Sequence, residues 1–75
     1  MEEELFDKYI NKFMFKNYPD IVSVEQMSNM LNISTKTAYR LLHENKIKYF
    51  MIGRIYKIPK INILNYLYTI LQYTL

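Results

Sequence analysis

The stretch SVEQMSNMLNISTKTAYRLLHEN, residues 23–45, decides how this chain is read. Ser23 can cap a helix while Gln26, three residues on, reaches back, the reciprocal arrangement of a capping box. Val24, Met27, Met30 and Leu31 then recur at helical spacing and face inward. Asn32 tolerates the left-handed conformation in which helices commonly end. Ile33 fills the gap, and Ser34 caps a second helix after a very short turn. In that helix, from Thr35 to about Glu44, Ala38, Leu41 and Leu42 are spaced to face the core. Lys36, Tyr39, Arg40 and His43 share the opposite side.

Two short helices joined by a turn of three or four residues form a helix-turn-helix signature. Beyond Asn45-Lys46 the period changes. Tyr49-Phe50-Met51-Ile52, Gly53-Arg54 and Ile55-Tyr56-Lys57-Ile58 predict a β-hairpin around the only glycine of the chain. A two-residue turn would send Phe50, Ile52, Ile55 and Lys57 to one face. A three-residue turn would group Phe50, Ile52, Tyr56 and Ile58 and leave Met51, Ile55 and Lys57 opposite. The second register is favoured here because it buries no lysine.

Working outward, Leu5, Phe6, Tyr9, Ile10, Phe13 and Met14 alternate with polar residues at helical spacing. They predict an amphipathic helix over 3–16, within an N-terminal helical segment 1–18, stopped by Asn17-Tyr18-Pro19-Asp20. At the other end Pro59 closes the hairpin and Lys60 or Ile61 opens a final helix. Its polar residues Asn62, Asn65, Thr69 and Gln72 make one narrow stripe. The rest of its surface needs a cover, for which the first helix is the nearest candidate. The expected organisation is a single domain, 1–75, with a core over 21–60 and a C-terminal helix over 60–75. The fold class is mainly α with a small β-hairpin.

With 75 residues and no cysteine, neither disulfides nor a structural zinc can supplement the core, so stability must come from packing. A hydrophobic content of 51% supplies the means. The net charge of +3 is unevenly spread. Residues 1–33 carry six acids against three lysines. Residues 34–60 carry Lys36, Arg40, Lys46, Lys48, Arg54, Lys57 and Lys60 against Glu44 alone, a pattern that suggests a polyanion-binding face. The acidic start Met1-Glu2-Glu3-Glu4 is unlike a secretory signal. The uncharged stretch Ile61 to Leu75 has 15 residues, short of the roughly 20 needed to span a bilayer. A cytoplasmic protein is expected, associated with the nucleoid only through DNA.

The order helix, tight turn, helix, basic hairpin, helix resembles the excisionase-type, MerR-like winged helix-turn-helix family from about Ile21 to Leu67. The resemblance rests on Val24-Glu25-Gln26-Met27, on Leu31-Asn32-Ile33-Ser34 in the turn and on Thr37-Ala38-Tyr39-Arg40-Leu41. Glu44-Asn45-Lys46 and the hairpin from Ile52-Gly53-Arg54 to Ile58-Pro59 complete it. Asn32 and Asn45 stand where the family usually has glycine, Ser28 where it has alanine, and the wing is less arginine-rich. The resemblance implies that the helix after Ser34 enters the major groove while the hairpin touches the adjacent minor groove or backbone. Ser34, Thr35, Lys36, Thr37, Tyr39 and Arg40 are then the recognition-helix candidates, and Gly53, Arg54 and Lys57 those of the wing. Lys36 and Arg40 lead for base or phosphate contact, with Arg40 the base reader because its guanidinium fork matches guanine, while Tyr39 suits a phosphate.

Plainer readings stand beside these. A basic helix face can be merely solvated, Arg54 merely a turn residue, His43 a flank residue, and the tyrosines of the last helix core. No glycine-rich phosphate loop, no nucleophile with a base and no paired carboxylates are present, so no enzyme, catalytic residue, metal, cofactor or small-molecule substrate is expected. The resemblance and the short chain together imply an excisionase, a recombination directionality factor of a mobile element. It would bind and bend double-stranded DNA near an attachment site for an integrase partner, with possible self-association on DNA. A small phage- or plasmid-type transcriptional regulator is the alternative, and a protein-interaction module is the reading from another class.

Overall fold

The computed structural model describes residues 15–74. In chain order they form β1 (Ile21–Val22), α1 (Val24–Leu31), α2 (Thr35–His43), β2 (Phe50–Ile52), β3 (Ile55–Pro59) and α3 (Lys60–Thr74). The chain is mainly α with a small antiparallel hairpin, the architecture of a winged helix-turn-helix domain.

Each junction has a local cause. Ser23 Oγ accepts from the Gln26 amide, and Gln26 Oε1 accepts from the Ser23 amide at 3.0 Å, so the capping box is complete. α1 ends with Asn32 at φ 55°, where the Ile33 amide donates to Ser28 O and the Asn32 amide to Asn29 O. α2 ends the same way two residues past His43. Asn45 sits at φ 59°, its amide donating to Leu42 O and that of Lys46 to Leu41 O. Both are Schellman closures with asparagine at the left-handed position. Ser28, buried in α1, donates to Glu25 O at 2.6 Å, so its hydroxyl is satisfied where an apolar residue would also fit.

The core gathers Val22, Val24, Met27, Met30, Ala38, Leu42, Ile47, Ile58 and Ile63, with Leu64 also buried. Phe15, Tyr18, Leu31, Ile33, Leu41, Tyr49, Tyr56 and Tyr66 pack around it. Burial of each large aliphatic side chain contributes about 1.5–3 kcal/mol. In a chain this small, that contribution holds the two-helix motif against the sheet.

Three expectations need correction. First, the helix expected over 3–16 lies outside the described residues up to Met14, and residues 15–18 are not helical. Phe15 has φ 60°, and the Tyr18 amide donates to Phe15 O in a turn. The proposed cover of α3 by that helix also lies outside the described residues.

Second, the hairpin adds a strand that the sequence reading missed. β1 pairs antiparallel with β3 (Ile21 with Pro59, Val22 with Ile58), giving the sheet order β1-β3-β2. Two residues between a proline and a helix cap carry too short a pattern to announce a strand. Buried Val22 opposite buried Ile58 is what holds it.

Third, the turn has two residues, not three. Ile52 pairs with Ile55, Met51 with Tyr56 and Phe50 with Lys57. Gly53 has φ 61° and Arg54 does not share the positive sign, the pattern of a type II′ turn with glycine first. The premise that the Phe50 and Ile52 face points to the core is what failed. Tyr56 and buried Ile58 face inward, so Lys57 goes to the outer face and no lysine is buried.

Candidate nucleic-acid interface

α2 presents the candidate residues in two groups. Ser34 Oγ accepts from the Thr37 amide and donates to Thr37 Oγ1, both at 3.1 Å. These two hydroxyls therefore fix the start of the helix. Thr35 and Lys36 are exposed in the first turn, where amides without intrahelical partners and a cation can meet an anion. One turn on, Tyr39 and Arg40 are exposed, with His43 beyond them. Lys36, Thr37, Tyr39, Arg40, His43 and Glu44 line one shallow hollow along this side of the helix.

The wing is fastened to that same side by aromatic contacts. The ring of Tyr56 on β3 meets Tyr39 edge-on, with centroids 5.1 Å apart and planes at 79°. Its hydroxyl shares a 2.9 Å hydrogen bond with His43 Nε2. Tyr49 also packs against Tyr56, with ring centroids 5.2 Å apart, and His43 lies 6.2 Å from Tyr39. Aromatic pairs at these separations contribute about 0.5–1.5 kcal/mol each beyond their burial. The four rings make a strut that sets the hairpin's angle to the helix. Tyr56 and Tyr49 were not among the sequence candidates. Given the two-residue turn, Tyr56 falls on the inner side, and the spacing of Tyr39 and His43 by four places both within its reach.

The positive window of residues 34–60 does not form one face. Lys36 and Arg40 belong to α2, and Arg54 and Lys57 to the wing. Lys46 and Lys48 line a separate groove with Asn62, Asn65 and Thr69 of α3, where Asn62 Nδ2 donates to Lys48 O. Lys60 turns inward. Its ammonium donates to Tyr18 O at 3.1 Å and Phe15 O at 3.4 Å, and its amide to Asp20 O at 2.7 Å. It ties the entry turn to α3 and is removed from the count of cations available to a ligand.

Arg54 and Gly53 form the exposed tip of the wing, and half-buried Lys57 lies three residues past Arg54 on β3. No carboxylate, histidine or cysteine cluster that could hold a metal ion occurs among the described residues. Among them, too, no helix is long and apolar enough to cross a membrane.

No curated protein and no solved structure matches the chain. A family match does exist, and it runs over residues 21–67, from β1 through the two-helix motif and the hairpin into α3. It covers more than half of the chain, and the chain belongs to the family of helix-turn-helix domains, a DNA-binding class.

Proposed function

We propose that the protein is a sequence-specific, non-enzymatic DNA-binding protein, cytoplasmic and bound to the nucleoid through DNA, that acts as an excisionase. In this reading it binds and bends DNA near an attachment site and thereby assists an integrase. The observation that carries DNA recognition is the shared exposure of Lys36, Tyr39 and Arg40 on α2, next to a wing braced on that helix through Tyr56. α2 supplies base reading and first-turn phosphate contacts, and the wing supplies a second grip on the neighbouring groove. Support for the excisionase role comes from the sequence resemblance over Val24–Met27, Leu31–Ser34, Thr37–Leu41 and the hairpin.

The test has two stages. Selection from random duplexes, followed by footprinting, should return a defined site whose binding is strongly weakened in the Lys36→Ala/Arg40→Ala double variant. Excision by a cognate integrase in a reconstituted assay should then depend on the protein. Promoter repression with no effect on excision would assign it instead as a small transcriptional regulator. Unchanged binding in the double variant would refute DNA recognition through α2 and favour a protein-interaction module.

A further inference from the structure

The hairpin carries a feature that its charge does not explain. Ile52 and Ile55, on either side of the Gly53-Arg54 turn, are 58% and 60% exposed, above every other large apolar residue described. They are cross-strand partners and so stand on the same side of the hairpin, followed on that side by Phe50 opposite Lys57. The opposite side is the one packed inward through Tyr56 and Ile58. Neither isoleucine belongs to the core, and threonine would hold a two-stranded hairpin there as well. Fold stability therefore does not account for a pair of bare branched aliphatics at the tip, with a guanidinium between them in sequence.

We infer that Ile52 and Ile55 form an apolar wedge that enters the DNA minor groove and opens a base step, with Arg54 between them anchoring the tip. This rests on the DNA-binding reading and specifies what the wing does within it. Isoleucine is among the side chains that pry base steps apart and kink the duplex. Unstacking costs least at pyrimidine–purine steps, and an A·T-rich minor groove holds the most negative potential for a guanidinium. The charge on the patch fits the same occupant. Lys57, across from Phe50, lies two residue pairs back from the Ile52–Ile55 pair and on the same side, where a phosphate of the groove wall would stand. The inferred target is thus a TA or CA step in the minor groove flanking the site that α2 reads.

The experiment uses the full chain and the duplex recovered by selection, with dyes at its two ends and 2-aminopurine substituted singly along the flanking segment. Wild-type binding should raise 2-aminopurine fluorescence severalfold at one pyrimidine–purine step and increase energy transfer between the ends. Replacing that step by a stiff A-tract step should weaken binding about tenfold. The Ile52→Thr/Ile55→Thr variant should lose the fluorescence rise and most of the bend, whereas Ile52→Leu/Ile55→Leu should keep both. Wild-type binding that depends on Arg40 yet leaves every 2-aminopurine stacked would overturn the wedge while leaving DNA recognition intact. Equal bending by the threonine variant would do the same, as would loss of only a protein dimer in sedimentation, which would give this face to a second copy. Failure of the wild type to select any duplex would instead remove the reading on which the wedge rests.

Discussion

If Tyr56 is the brace that sets the wing against α2, its removal should loosen the wing's contribution to DNA binding without touching DNA itself. Tyr56→Leu keeps an apolar side chain on β3 but deletes the ring pairs with Tyr39 and Tyr49 and the bond to His43. Each ring pair is worth about 0.5–1.5 kcal/mol, and an exposed hydrogen bond adds about 0.5–1 kcal/mol. The expected loss of stability is therefore about 1.5–4 kcal/mol, centred near 2–3 kcal/mol. A domain of this length has on the order of 4–11 kcal/mol in total, so the variant remains folded in the cold and binding is measurable there. Tyr56→Phe removes only the hydroxyl and should lower Tm by no more than about 4–8 °C. The informative quantity is a double-mutant cycle read by fluorescence anisotropy. Arg54→Ala in the wild type should cost about 1 kcal/mol on the selected duplex, the size of one lost groove contact. In the Tyr56→Leu background it should cost less than half of that, a coupling above the few tenths of a kcal/mol at which independent sites add. Penalties that simply add would show that the wing holds its position without the aromatic strut.

Other consequences follow from the division of the cations. With four to six phosphates contacted, log affinity should fall against log salt with a slope near −4 to −5. Lys36→Ala/Arg40→Ala should flatten it by about one unit per phosphate lost, and a slope unchanged by both substitutions would take α2 off the DNA. Lys60→Met should leave that slope as it is, because its ammonium is spent on Phe15 O and Tyr18 O, and should instead lower stability in urea by about 1.5–3 kcal/mol. Asn45→Ala places a β-carbon residue without asparagine's tolerance at φ 59° and should cost about 1 kcal/mol, while Asn45→Gly should cost nothing or stabilise slightly. Equal melting temperatures for the alanine and glycine variants would refute the Schellman closure as the stop of α2.

The helical part of the fold is legible in the sequence because its signals are local. Ser23 and Gln26 lie three residues apart, as do Ser34 and Thr37, and each pair closes its own helix start. Asn32 sits one residue and Asn45 two residues beyond a helical run, where a left-handed residue is required. The sheet is less legible because its causes are distant. β1 exists through Val22 meeting Ile58, 36 positions away, and nothing within two residues of sequence can announce that. The hairpin register could have been read from Gly53 alone, whose positive φ suits the first place of a two-residue turn. The wrong choice came from avoiding a buried lysine on the premise that the face carrying Phe50 and Ile52 is the one turned to the core. That premise holds for a strand covered on one side by its own domain, and it fails where apolar residues sit on the outer side of a wing.

The same distinction bears on the site. A charge window in sequence assigns every lysine the same weight, yet the fold spends Lys60 on two backbone carbonyls, sets Lys46 and Lys48 beside α3, and leaves Lys36 and Arg40 on the recognition side. What sequence patterning misses is therefore of one kind: contacts that join α2 to the wing. Tyr39 belongs to a helical face by spacing, but its ring is half committed to Tyr56, so a substitution there acts on both elements. A Tyr39→Ala variant must then lose more binding than a single phosphate contact explains, because the wing loses its rest along with the helix losing a hydroxyl. Tyr39→Phe separates the two. It keeps the edge-on pair and deletes only the hydroxyl, so full affinity in Tyr39→Phe with a severalfold loss in Tyr39→Ala would assign the residue to bracing, and an equal loss in both would assign it to the phosphate.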